Sequence, residues 1–131
     1  MPAVRAAQVQ TGNRRNNMKD RLYLLKPDFT DKRTGPFFCP NCALVEGMLS
    51  YYPALREKIE IHYINFPRPR PTLVAELGAE NQGAPKLILG DNRRTVPKDV
   101  TVSETNGRRF VSTDIEICRY LAKTYGVGEP H

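Results

Sequence analysis

The sequence predicts an α/β fold: a β-α-β-α-β-β-α chain built on a central mixed four-stranded sheet, with an additional hairpin and helices on both faces. Three observations predict it. Leu22-Tyr23-Leu24-Leu25 and Leu87-Ile88-Leu89 are short continuous apolar runs, the pattern of central strands buried on both faces. The first run is followed by a helix-like segment and a second strand-like segment, which is the order of a right-handed parallel crossover. Asn106-Gly107 separates two further strand-like stretches. It is the strongest short hairpin signal, because both central residues of a type I′ turn need positive φ.

The elements follow in order. Residues 1–18 lack sustained periodicity and are rich in Asn, Gln and Arg, so a disordered basic tail is expected there, with Met18 as an alternative start. The domain is expected over 19–127, with 128–131 as a short tail. Arg21 to Lys26 is the first strand, stopped by Pro27. Residues 27–38 hold Pro27, Asp28, Asp31, Gly35 and Pro36 and read as a loop. Pro40 to Tyr51 is a helix with a wide apolar face at Ala43, Leu44, Val45, Met48 and Leu49. Pro40 fits the first helical position, where its missing N–H costs nothing. Ile59 to Phe66 is rich in β-formers, and its Glu60 and His62 point to an edge strand. Pro67-Arg68-Pro69-Arg70-Pro71 reads as an extended, exposed connector. A short helix follows over Thr72–Leu77, closed by Gly78. Lys86 to Gly90 is the second buried strand. The hairpin joins 100–105 to 108–111. The last helix runs from about Asp114 to Tyr125, with Thr113 and Glu116 placed for a capping box and Gly126 at its end.

Composition bounds the function. With 131 residues the chain is one domain able to bury a core without disulfide staples. Its three cysteines are too few, and odd in number, for a secreted disulfide scaffold. No apolar run is long enough to span a bilayer, and the N-terminus is polar and basic rather than signal-like. These features point to a cytoplasmic protein. Of the net charge of +6, residues 1–21 carry +4. The basic balance is thus mostly a tail property, and no nucleic-acid or membrane partner is expected.

The chemistry concentrates in Cys39-Pro40-Asn41-Cys42, at the start of the first helix. Helical spacing brings these two cysteines within disulfide reach. The partial positive charge of a helix N-terminus favours a thiolate over a thiol. Cys39, just ahead of the first turn, is the candidate nucleophile. Cys42, one turn on, is the candidate resolving thiol. Pro40 and Asn41 shape the motif between them. The competing reading is a redox-inert pair kept reduced by the cytosol. A zinc site needs two more ligands from Cys118, His62 and His131, and Cys118 falls on the apolar stripe of the last helix, so no metal is expected. Lys26 and Asp28 end the first strand, where they either tune the thiols in opposite directions or are merely solvated. Arg68 and Arg70 either hold an anion or belong to the stiff connector.

These residues resemble the thioredoxin superfamily. The motif sits after the first strand and opens the first helix, as the redox motif does there, and its Cys-Pro start resembles glutaredoxin. Ala84-Pro85 precedes the third main strand, where the superfamily places a cis-proline facing the redox motif. Phe110 to Gly126 resembles the end of the N-terminal domain of glutathione S-transferases, which commonly carry Glu-Ser-x-Ala-Ile-x-x-Tyr-Leu. As a whole the chain looks like a bacterial thioredoxin-like family without an assigned function. The sequence departs from these patterns at the long 27–38 segment, at Phe37-Phe38 in place of the usual tryptophan, and at Thr113-Asp114 in place of Glu-Ser.

The resemblance implies a thiol-disulfide oxidoreductase acting on protein or small-molecule thiols and disulfides, as a monomer or weak homodimer. No bound cofactor is expected, and glutathione is at best a weak ligand because Thr113 stands where the transferases have glutamate. It implies a groove where Cys39, Ala84-Pro85 and Thr113-Asp114 meet. The alternative is a non-catalytic module that keeps the frame for partner binding, with recognition surfaces in segments 27–38 and 91–107.

Overall fold

The computed structural model describes residues 18–90 and 95–131. The expected tail over 1–17 and the start of segment 91–107 lie outside the described residues. Among the described residues, seven strands and four helices form in the order β1 (Arg21–Leu25), β2 (Phe29–Asp31), β3 (Thr34–Phe37), α1 (Pro40–Tyr51), α2 (Leu55–Lys58), β4 (Glu60–Ile64), α3 (Pro71–Leu77), β5 (Lys86–Ile88), β6 (Ser103–Thr105), β7 (Arg108–Val111) and α4 (Asp114–Tyr125). A five-stranded mixed sheet has the order β4-β1-β5-β7-β6, and β2-β3 form a separate two-stranded sheet.

β1 organises the main sheet. It pairs parallel with β4 through α1, from Arg21↔Glu60 to Leu25↔Ile64. On its other edge it pairs antiparallel with β5, from Arg21↔Ile88 to Tyr23↔Lys86. Its alternating side chains divide between two cores. Leu22 and Leu24 pack in a cluster with Val45, Met48 and Leu49 of α1 and with Ile117, Tyr120 and Leu121 of α4. Tyr23 packs with Leu73 and Leu77 of α3, together with Ile88 and Phe110. Helices therefore cover both faces, α1 and α4 on one and α3 on the other. The buried Asp20 ties the ends: its side chain accepts from Gly90 N–H at 2.9 Å and from the Tyr125 hydroxyl at 3.2 Å, and its carbonyl accepts from Glu60 N–H at 2.9 Å.

Three expectations are corrected. The sheet has five strands, not four, because the first arm of the Asn106-Gly107 hairpin joins it as the outer edge. The turn itself has the anticipated positive φ, 53° and 72°. Residues 27–38 are not a plain loop: they carry the β2-β3 hairpin, whose turn residues Lys32 and Arg33 adopt φ of 52° and 65°. Those are glycine-type conformations taken by long side chains, so the turn left no signal of the usual kind. Gly35 is required there, since a Cβ would press on the Phe29 carbonyl at 2.8 Å. The capping box is half formed. Thr113 Oγ1 accepts from Glu116 N–H at 3.4 Å, but the Glu116 carboxylate turns outward to Thr101 N–H at 2.7 Å and to Arg119 at 3.0 Å.

α1 is apolar nearly all round, so burial and not composition decides which side chains carry stability. Leu49 is fully buried and Tyr51 is 83% exposed. Leu49→Ala is expected to cost about 2–5 kcal/mol in urea unfolding, and Tyr51→Ala less than about 0.5 kcal/mol.

Candidate functional site

The site begins with an interrupted ladder. Successive strand N–H groups alternate sides. Lys26 N–H bonds the Ile64 carbonyl of β4 at 2.9 Å, so Leu25 N–H faces β5. The β1-β5 register, continued two residues, sets Pro85 opposite Leu24 and Ala84 opposite Leu25. The pairing stops at Tyr23↔Lys86, before the Leu25–Ala84 pair forms. The two groups that would have bonded each other turn to the cysteines. Leu25 N–H donates to Cys42 Sγ at 3.5 Å, and the Ala84 carbonyl lies 4.0 Å from Cys39 Sγ as acceptor. The Ala84–Pro85 peptide is cis, as are Gly35–Pro36 and Arg68–Pro69.

α1 fixes the two thiols. Cys39 is its N-cap, with extended backbone, and Pro40 is its first residue. Ser, Thr, Asp or Asn usually fills that position with a side-chain oxygen. Here sulfur takes the part, and Cys42 N–H donates to Cys39 Sγ at 3.2 Å. Cys39 is half-buried and Cys42 buried, and both are free thiols. Burial, together with the neighbouring Cys39 sulfur, pushes the Cys42 thiol up to about 12, against the opposing pull of Leu25 N–H and Arg70. A groove of about 360 Å³ opens beside the pair, lined by Leu24, Leu25, Pro27, Phe38, Cys39, Cys42, Ala43, Glu46 and Tyr63.

Arg70 is the residue the sequence concealed. It is only 6% exposed, not part of an exposed connector. Its guanidinium donates to the Phe66 carbonyl at 2.6 and 2.9 Å and to the Gln82 carbonyl at 2.7 Å, and its backbone N–H donates to Gln82 Oε1 at 2.7 Å. It thereby clamps the segment that presents Ala84 to Cys39. Carbonyl dipoles satisfy its donors without cancelling its charge, and that charge acts on both thiols. A signal was present: Arg70 occupies the N-cap of α3, directly before Pro71, with no side-chain capping bond. Arginine cannot accept there, so its side chain had to serve elsewhere.

The remaining candidates are placed as follows. Thr113 and Asp114 are spent locally, on Glu116 N–H and on Ile115 N–H at 2.8 Å, and neither lines the groove beside Cys39. Lys26 and Asp28 do not line it either; they border neighbouring hollows with Asn65, Phe66 and Pro67. Arg68 is exposed. His62 stacks on Tyr23 with centroids 5.1 Å apart. Cys118 is buried on α4, and burial, with Asp114 adding, pushes its thiol up to about 11. Among the described residues no cluster of three His, Cys, Asp or Glu side chains forms, and no helix is long and apolar enough to cross a membrane.

Residues 19–129 match DUF3088, described as a protein of unknown function. The chain belongs to the DUF3088 family. The match takes in both cysteines, Arg70 and Ala84-Pro85, so the whole interrupted-ladder site lies within the family's extent. No curated protein and no solved structure matches the chain.

Two outcomes follow from this geometry. The folded chain keeps the Cys118 proton up to about pH 11, whereas an unfolded thiol loses it near 9.0. The folded state then binds more protons across that window, so this contribution is fully present below pH 9 and is lost as pH rises through 11. Cys118→Val removes it. Urea titrations should show wild type losing on the order of 2 kcal/mol more than Cys118→Val between the two pH values. Arg70→Met keeps bulk but removes the donors, and is expected to cost about 1–3 kcal/mol in the same assay, because the Phe66 and Gln82 carbonyls lose their buried partner.

Proposed function

We propose that the chain is a thioredoxin-like thiol-disulfide oxidoreductase acting through Cys39 and Cys42. One observation carries the reading: the β1-β5 ladder is interrupted where the two backbone groups it releases meet the two sulfurs of a Cys-Pro-Asn-Cys helix start. The strand order supports it. A parallel β1-α1-β4 unit is followed by antiparallel β5 and β7, with α1 and α4 on one face and α3 on the other, which is the arrangement the superfamily resemblance implies.

The half-buried Cys39 sulfur, as thiolate, attacks one sulfur of a substrate disulfide. A bond forms between Cys39 and that sulfur, the substrate S–S bond breaks, and the leaving thiolate takes a proton from water. Cys42 then gives up its proton and attacks Cys39 Sγ. The mixed disulfide breaks, the second substrate thiolate leaves and is protonated, and a Cys39–Cys42 disulfide remains. Two electrons have passed to the substrate. A low-molecular-weight thiol returns them in two exchanges. Cys42 meets its costly deprotonation only at the second step, where Leu25 N–H and the Arg70 charge stabilise the thiolate.

The exposed aromatic pair Phe37-Phe38 favours a second reading, a binding module without turnover. One experiment separates them. With a recycling thiol and a peptide disulfide, wild type is expected to turn over, Cys39→Ser to stay at the uncatalysed rate, and Cys42→Ser to stop at a mixed disulfide visible by intact mass. Equal rates for wild type and Cys39→Ser leave only the binding module.

A further inference from the structure

The hairpin inserted between β1 and α1 gives the cysteine groove a wall of its own. Phe29 stacks flat on Phe66, with centroids 4.2 Å apart and planes 4° apart, and Phe37 stands 6.2 Å from Phe29. The stack fastens the hairpin to the segment after β4. It holds the β3 exit, and with it Phe38, at the lip of the groove. Phe38 is 62% exposed and directly precedes Cys39. Pro27, Leu25, Ala43 and Tyr63 continue the lining.

The charge of the groove narrows its occupant. Glu46 is the one charged side chain among its lining residues, in a chain of net charge +6. Partial burial works against its ionisation, yet hydrogen bonds from Arg56 at 2.5 Å and from the Tyr63 hydroxyl at 2.7 Å hold it below the usual carboxylate range. Arg56 pairs with that carboxylate at the solvent-exposed rim, and the lining residues include no cation, so a carboxylate on the occupant would lose hydration against an apolar wall without gaining a partner. The thiols on the floor require the occupant to present a disulfide.

We propose that this groove selects neutral peptide disulfides whose residue next to the cystine bears an apolar side chain, and that Phe38 is the residue that reads it. The proposal rests on the oxidoreductase reading and names its substrate class. In the recognised step the Cys39 thiolate forms a disulfide with one half-cystine, and the other half leaves as a thiolate that takes a proton from water. The apolar side chain beside the captured sulfur lies against Phe38 and Pro27.

The test uses the full chain as Cys42→Ser, so that capture stops at the mixed disulfide. Three symmetrical disulfides are compared: those of N-acetyl-Cys-Phe-amide, N-acetyl-Cys-Ser-amide and N-acetyl-Cys-Glu-amide. Adduct formation is followed by intact mass. The Phe disulfide is expected to react about tenfold faster than the Ser disulfide, as burial of one aromatic side chain implies, with the Glu disulfide slowest. Phe38→Ala in the same background should bring the Phe/Ser ratio down toward one, with an unchanged circular dichroism spectrum. Equal Phe and Ser rates, a preference that survives Phe38→Ala, or the Glu disulfide reacting fastest each overturn the substrate assignment while leaving the oxidoreductase reading intact. Absence of any adduct overturns both.

Discussion

The site depends on one missing hydrogen bond in the main sheet. β1 is covered on both faces and paired on both edges, so almost every polar group along it is committed. Buried backbone groups must find partners, and the ladder with β5 would have supplied one for Leu25. That ladder ends at Tyr23↔Lys86, before it reaches Leu25. The Leu25 N–H is left aimed at the helix start, and Cys42 Sγ receives it. The Ala84 carbonyl is left on the same side, against Cys39. A structural interruption thus places one donor and one acceptor on two adjacent sulfurs.

That placement sets a division of labour between the thiols. Sulfur at the N-cap satisfies one of the orphan N–H groups of α1, so Cys39 is held in a defined rotamer by the helix it starts. Cys42 faces inward among Val45, Leu24 and Leu25, and burial raises the cost of its thiolate. Arg70 offsets part of that cost. Its buried charge spans Phe66, Gln82 and the cysteines, so the same side chain fixes the backbone opposite Cys39 and favours negative charge on Cys42. Carbonyl partners are what allow both roles, because a carboxylate partner would have cancelled the field.

Much of this was legible in the sequence. The continuous apolar runs at 22–25 and 87–89 marked the central strands, since only a strand buried on both faces drops its polar alternation. Cys-Pro at a helix start and Ala-Pro ahead of a buried strand marked the two halves of the site, the first because proline fits the opening turn of a helix and the second through the superfamily resemblance. What stayed hidden depended on tertiary context. Lys32 and Arg33 take left-handed backbone conformations that no local preference favours, so the β2-β3 hairpin was invisible. Arg70 sits between two prolines, where an exposed connector is the natural reading, and only the Phe66 and Gln82 carbonyls draw it inward. Thr113 and Asp114 look well placed from the last helix alone, but its own N–H groups consume them.

The hidden parts are also the ones that separate this site from a generic dithiol. The hairpin and Arg70 differ in character: one brings exposed aromatic rings to the groove, the other is a buried cation. The cation is enclosed by carbonyls and reaches the sulfurs through its field, whereas the wall is open and reaches them through contact. Electrostatics at this site therefore acts on the protein's own thiolates, and shape acts on what approaches them. Phe29 links the two. Its ring lies on Phe66, and the Phe66 carbonyl is an acceptor for Arg70. A displacement of the hairpin would thus be felt by the clamp that holds Ala84, which couples the entry wall to the backbone facing Cys39 through a single aromatic stack.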